Sequence, residues 1–180
     1  MHLRDVLDTN ISFVHWFAEF LVKDLTVEQL HWQPSAGSHH IAFALWHTIR
    51  TEDDFIHGFL QQKPTVWIEG GWAERLGLPS SAQGTGWTAE QVAEMRIVDV
   101  GGFLEYMRAV DAAVLEYVRS LDDAKANEKI ALPFFEGAYP MLKEMSRGEL
   151  LAFLCIGHNT EHLGEIQYLR GLQGLKGAPL

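Results

Sequence analysis

Two histidines four residues apart, in His158-Asn-Thr-Glu-His162, are the pair in this sequence best spaced to do chemistry together. On an α-helix an i,i+4 pair shares one face, with Cβ atoms about 5 to 6 Å apart, so two imidazoles can grip one ion. At 100° per residue they fall in the centre of the stripe of Leu151, Leu154, Cys155, Ile166 and Leu169, the face turned to a core. Buried imidazoles need partners, which are either hydrogen bonds within the core or a metal ion. A metal site of this kind takes a further ligand from a facing helix, and His47 is the candidate. By wheel geometry His47 lies with Phe43, Ala44, Thr51 and Asp54, away from the stripe of Ile41, Leu45 and Ile49. It can serve only if its helix is buried on two faces, as the unbroken run Ile41-Ala-Phe-Ala-Leu-Trp46 suggests.

Three neutral imidazoles leave a divalent ion at least one open position for water or substrate, the pattern of catalytic sites. Nitrogen ligands favour zinc or nickel over magnesium or calcium. Such an ion lowers the pKa of bound water or holds a thiol as thiolate, and the ion rather than Cys155 is then the activating group. Cys155, one turn before His158, is expected to behave as a small buried hydrophobe. Glu165, nearly in line with the two histidines, can orient a ligand, approach the ion or simply be solvated near the helix end. Asp54-Phe-Ile-His57 has the acidic i,i+3 His spacing of di-iron bundles, but helix 4 has no Glu-x-x-His to complete it. His15 is placed to line the cavity. His2, His31, His39, His40 and His57 read as surface or loop residues.

Four amphipathic segments must position these side chains. Apolar residues at helical spacing define helix 1 over Leu3 to Val22, with Leu7, Ile11, Val14, Ala18 and Leu21 on one stripe. Thr26-Val-Glu-Gln29 is a capping box that can open a short turn. Helix 2 is expected from about residue 39 to 61, with Ser38 as its N-cap and Pro64 beyond its end. Residues 62–87 lack a period but hold Trp67, Trp72 and Trp87, so they read as an ordered crossover that packs down and roofs a pocket. Thr88 caps helix 3, expected to run to Leu121 with a bend near Gly101-Gly102, and Ser146 caps helix 4, which runs to Arg170. No strand run is evident, so the fold class is all-α, a four-helix bundle with a long crossover between helices 2 and 3.

A chain of 180 residues suits one domain, 1–180, and 47% hydrophobic with 21% charged residues is a globular balance. One cysteine excludes an intrachain disulfide and a thiolate-rich zinc cluster. A formal net charge of −10 with scattered Lys and Arg disfavours nucleic acid. No apolar run approaches the roughly 20 residues of a membrane span, and the start lacks a signal-peptide core, so a cytoplasmic location without membrane contact is expected.

Through Leu45-Trp-His47-Thr-Ile-Arg-Thr-Glu-Asp-Asp54 and His158-Asn-Thr-Glu-His162-Leu-Gly-Glu-Ile166 the chain resembles, over nearly its whole length, the DinB-like superfamily. That family's ligand histidines sit in a W-H-x-x-x-x-E segment of helix 2 and an H-x-x-x-H-x-G segment of helix 4, which correspond to His47, His158 and His162. The resemblance implies a four-helix bundle with a long link between helices 2 and 3, frequently as a homodimer. The family often has Arg-Gly-Gln directly after the last ligand, whereas this chain has Leu163-Gly164-Glu165, so contacts of that Arg and Gln do not carry over. Characterised relatives use low-molecular-weight thiols, among them mycothiol-dependent maleylpyruvate isomerase and bacillithiol S-transferases. The expectation is a divalent-metal-dependent enzyme of thiol S-transferase or isomerase type acting on a small molecule. The alternatives are a non-catalytic metal-binding or stress-response protein and, further off, a metal-dependent hydrolase with Glu165 or Glu161 as general base.

Overall fold

The computed structural model describes residues 2–135 and 139–177. Helix α1 spans Leu3–Val22 and buries the whole expected stripe, Leu7, Ile11, Val14, Ala18 and Leu21. The Thr26 and Gln29 side chains close a reciprocal capping box on the short α2, Val27–Leu30. Helix α3, Ile41–Asp53, runs on through π-helical turns at Asp54–Leu60.

Its N-cap is His40, not Ser38. The His40 Nδ1 accepts the Phe43 N–H at 3.0 Å, and its Nε2–H donates to the Val92 carbonyl at 2.9 Å. An imidazole lone pair here does the work of a capping oxygen, and the ring ties α3 to a distant segment. His40 and His57 are buried, and half-buried His31 bridges the Val27 carbonyl and the Ile97 N–H, so the surface reading of these three is corrected. Each imidazole satisfies backbone or carboxylate groups that burial would otherwise strand.

Within the crossover, Val66–Glu69 forms α4 and Trp72–Leu76 forms α5. Trp67 and Trp72 are buried against Tyr106, with ring centroids 4.8 and 5.7 Å away. Helix 3 is broken rather than bent. Thr88 caps α6, Ala89–Glu94, the chain turns extended at Met95, and Asp99 then caps α7, Val100–Ser120, by accepting the Gly102 N–H at 2.9 Å. A Cβ at Gly102 would lie 2.4 Å from the Asp99 carboxylate, so this glycine leaves room for the cap instead of bending a helix.

After α8, Asp123–Ala126, a two-stranded antiparallel ribbon pairs β1, Lys129–Ala131, with β2, Glu144–Ser146, in register Lys129↔Ser146. These three-residue strands are too short to leave an alternating signature in the sequence. Ser146 and Glu149 form the expected capping box on α9, Arg147–Leu151, which passes through π-helical Ala152–His158 into α10, Asn159–Leu172.

Helix α1 packs on α7 and α10, and α3 packs on the same two, so the four long segments enclose a core around Trp46, Phe103, Tyr106, Ile11 and Ile49. Each such side chain is favoured by about 1.5–3 kcal/mol over exposure, which holds α3 and α10 in fixed register. Among the described residues no helix is long and apolar enough to cross a membrane.

Candidate metal centre

Helix α3 is buried on nearly every face, from Ile41 to Trp46 and again from Thr48 to Asp53. The two-sided burial that His47 required is present, and its ring faces α10. The ring centroids of His47 lie 5.3 Å from His158 and 5.0 Å from His162, and those two lie 4.7 Å apart. One nitrogen from each ring falls within 4.8 Å of the others, and all three residues are half-buried.

Each ring is turned by a partner on its far edge. The Nδ1–H of His47 donates to the Gln83 carbonyl at 2.6 Å, that of His162 to Glu165 at 3.1 Å, and that of His158 to the Asn159 side-chain oxygen at 3.4 Å. In every case Nε2 keeps its lone pair and is the nitrogen left for a shared centre. Burial, reinforced by the neighbouring imidazoles, pushes His47 down to about 4 and lowers His158 as well. Those two rings are therefore held in the neutral form, the form that binds a metal. Three imidazole nitrogen donors with their outer edges engaged fit a divalent cation.

Behind His158 lies a buried polar chain. Glu52 accepts the Asn159 Nδ2–H at 2.8 Å and the His15 Nε2–H at 2.9 Å, and Asp111 sits 3.2 Å from the His15 Nδ1. Burial opposes a charge on His15, but Glu52 and then Asp111 overcome it and lift the ring to about 9. Burial raises the Glu52 carboxyl, yet His15 and Asn159 bring it below the usual range, while burial leaves Asp111 up at about 7. His15 is thus the cationic centre of a buried network and does not line an open cavity. Cys155 is fully buried and hydrogen-bonded to Glu52, and its thiol is pushed well above its usual range.

The crossover meets the centre differently from expectation. Trp67 and Trp72 pack on Tyr106, so they do not roof the histidines. Trp87 packs at a tilt on Trp46, with ring centroids 4.9 Å apart, and on Phe43, whose ring lies parallel to His47 at 5.9 Å, so it supports the site through one intervening ring. Asp54 pairs with Arg50 and His57 with Asp53, which disposes of a di-iron site. Four contributors were not singled out by sequence: Gln83, Glu52, Asn159 and His39. Glu52 stands at the acidic position of the quoted helix 2 segment and Asn159 adjoins a ligand, so both left a signal. Gln83 acts through its backbone carbonyl and left none.

The sequence profile of the DinB superfamily matches residues 18–166, which includes all three histidines. The chain belongs to the DinB superfamily. Among solved structures, a conserved protein from Enterococcus faecalis is similar with a TM-score of 0.79 at 19% identity, covering 96% of this chain and 97% of that one. At that identity the likeness establishes the fold. No match is found among functionally curated proteins. Family and geometry together are compatible with a divalent metal at the three histidines.

Proposed function

We propose that His47, His158 and His162 hold one zinc or nickel ion and that this DinB-superfamily protein is a metal-dependent enzyme transferring a low-molecular-weight thiol to a small electrophile. The observation that carries the reading is the shared orientation of the three rings, each with Nδ1–H spent on an outer partner and Nε2 left free. When bound, a divalent ion supplies a positive charge that favours the thiolate over the thiol. In the transfer the thiol loses its proton to solvent, its sulfur bonds to the electrophilic carbon, and the leaving group departs with the electron pair of its old bond.

The chain's own residues orient and tune. Gln83 fixes His47, Glu165 fixes His162, and Glu52 holds the Asn159 amide so that its oxygen meets His158. Cys155, buried and bonded to Glu52, is not presented as a nucleophile. A hydrolase reading is weakened because Glu165, its nearer general base, already accepts from His162 and His39, and Glu161 is solvent-exposed.

A homodimer accompanies this reading. The outer face of α1 carries Phe13 and Trp16, 58% and 52% exposed, in a row of stacked rings with Phe17 and Phe20. An aromatic row on a soluble surface of net charge −10 suits a second copy better than an anionic lipid surface.

The deciding experiment combines metal analysis of tag-free protein with thiol transfer to a model electrophile across a panel of cellular thiols, on holo and apo protein. About one ion per chain and transfer by the holo form alone are expected. Equal holo and apo rates would leave a non-catalytic metal-binding role, and well under half an equivalent of metal after reconstitution would overturn the site itself.

A further inference from the structure

Farther along the same helix than His47, by a rise of about 15 Å, the π-helical turns, the start of the crossover and α7 enclose a second cleft of about 550 Å³. Its wall includes His57, whose side chain is only 7% exposed. The His57 Nδ1–H donates to Asp53 at 2.8 Å. Asp53 cannot yield, because it also accepts the Val66 and Trp67 N–H groups at 2.9 Å each and the Tyr106 hydroxyl at 3.0 Å. The ring is therefore locked with its Nε2 edge turned away from Asp53, and Nε2 is buried without a hydrogen-bond partner. The nearby Gln61 amide nitrogen is buried and unpartnered as well. Buried polar atoms are nearly always satisfied, and two unsatisfied groups lining one cleft mark a place where a ligand completes the bonding.

The rest of the lining defines the ligand. Glu69 and Glu116 are exposed at the cleft against one cation, Lys63, while Val66 and Ala113 offer apolar surface. The tautomer that places its hydrogen on Nδ1 toward Asp53 offers a lone pair at Nε2, which accepts an N–H. Gln61 offers a donor or an acceptor depending on how its amide is turned. A carboxylate or phosphate would meet two carboxylates and a lone pair in a chain of net charge −10. We infer that this cleft binds a small aliphatic amine, with its N–H groups on His57 Nε2 and the carboxylates of Glu116 and Glu69, and its methylenes against Val66 and Ala113.

The test is calorimetric titration of the full-length protein, stripped of metal, with putrescine and butylamine, and with butyrate and inorganic phosphate as anionic counterparts. Saturable binding of the amines is expected, weakened about tenfold or more by Glu116→Gln and abolished by His57→Leu. His162→Ala should bind them as wild type does, which separates this cleft from the three-histidine centre. Glu116 is on the surface, so Glu116→Gln reads out even if His57→Leu fails to fold. Preference for butyrate or phosphate, unchanged affinity in Glu116→Gln, dependence on His162, or no binding at millimolar amine would each overturn the assignment.

Discussion

Glu165 accepts the Nδ1–H of His162 on one carboxylate oxygen and the Nδ1–H of His39 on the other, at 3.1 and 2.9 Å. One side chain thus holds a proposed ligand on α10 against the segment that leads into α3. Partners of this kind set the tautomer and raise the basicity of a ligand, and removing them typically costs about ten- to a hundredfold in metal affinity. Glu165→Ala is expected to weaken zinc by that factor in a chelator competition while leaving the circular dichroism unchanged. Wild-type affinity would mean that the contact does not act on the ion.

Zinc should raise the thermal midpoint of the wild-type protein. At a thousandfold excess over Kd the stabilisation is about 4 kcal/mol, which in a chain of this size corresponds to roughly 10 °C. Differential scanning fluorimetry of His47→Ala, His158→Ala and His162→Ala should each show the increment lost. An increment that persists in His47→Ala would assign the third ligand elsewhere.

Acidification works against the site through a defined group. The folded pKa of His47, about 4, lies below its ordinary 6.5, so the folded state favours the neutral ring. That contribution is complete above pH 6.5 and is lost as the pH falls from there through about 4. Metal should accordingly be released below about pH 6, where protons begin to compete for imidazole. The apo protein should lose stability between pH 6.5 and 4, less steeply in His47→Ala. Metal retained at pH 4.5 would point to carboxylate ligands.

The pair of His15 and Glu52 predicts the opposite pH slope. His15 is lifted to about 9, so its contribution is present below pH 6.5 and is lost as the pH rises through 9. Asp111, raised from 3.8 to about 7, adds a loss of its own as the pH rises between those two values, before the loss from His15 sets in. Urea denaturation from pH 7 to 9.5 should show falling stability in the wild type and a flatter profile in His15→Leu. That variant should be about 3–5 kcal/mol less stable at pH 7, because it leaves Glu52 buried without its cation. The Cys155 thiol, locked on Glu52 in the same network, should resist a thiol reagent until the protein unfolds.

Long-range periodicity made the helices legible, and the two histidine segments made the centre legible. The stripe of α1 and the capping boxes at Thr26, Thr88 and Ser146 stand where their patterns put them. What escaped was tertiary. His40 displaced Ser38 as a cap because its second nitrogen reaches Val92, a partner that local sequence cannot reveal. Helix 3 broke at Met95 because the Ile97 N–H is satisfied by His31 from another part of the chain. The crossover tryptophans pack down as their composition predicts, but Tyr106 decides which surface receives Trp67 and Trp72.

The Gln83 carbonyl that turns His47 belongs to the crossover, whereas the other two rings sit on the last long helix. The proposed ion-binding geometry therefore joins segments near the beginning, the middle and the end of the chain. Contacts so distant in sequence close late, after the loop entropy between them has been overcome. Metal capture should be a terminal event of folding, slow to start from the denatured chain. Lifting the crossover would withdraw the Gln83 carbonyl from His47, so exchange of a bound ion should quicken whenever the crossover opens to protease between α3 and α6.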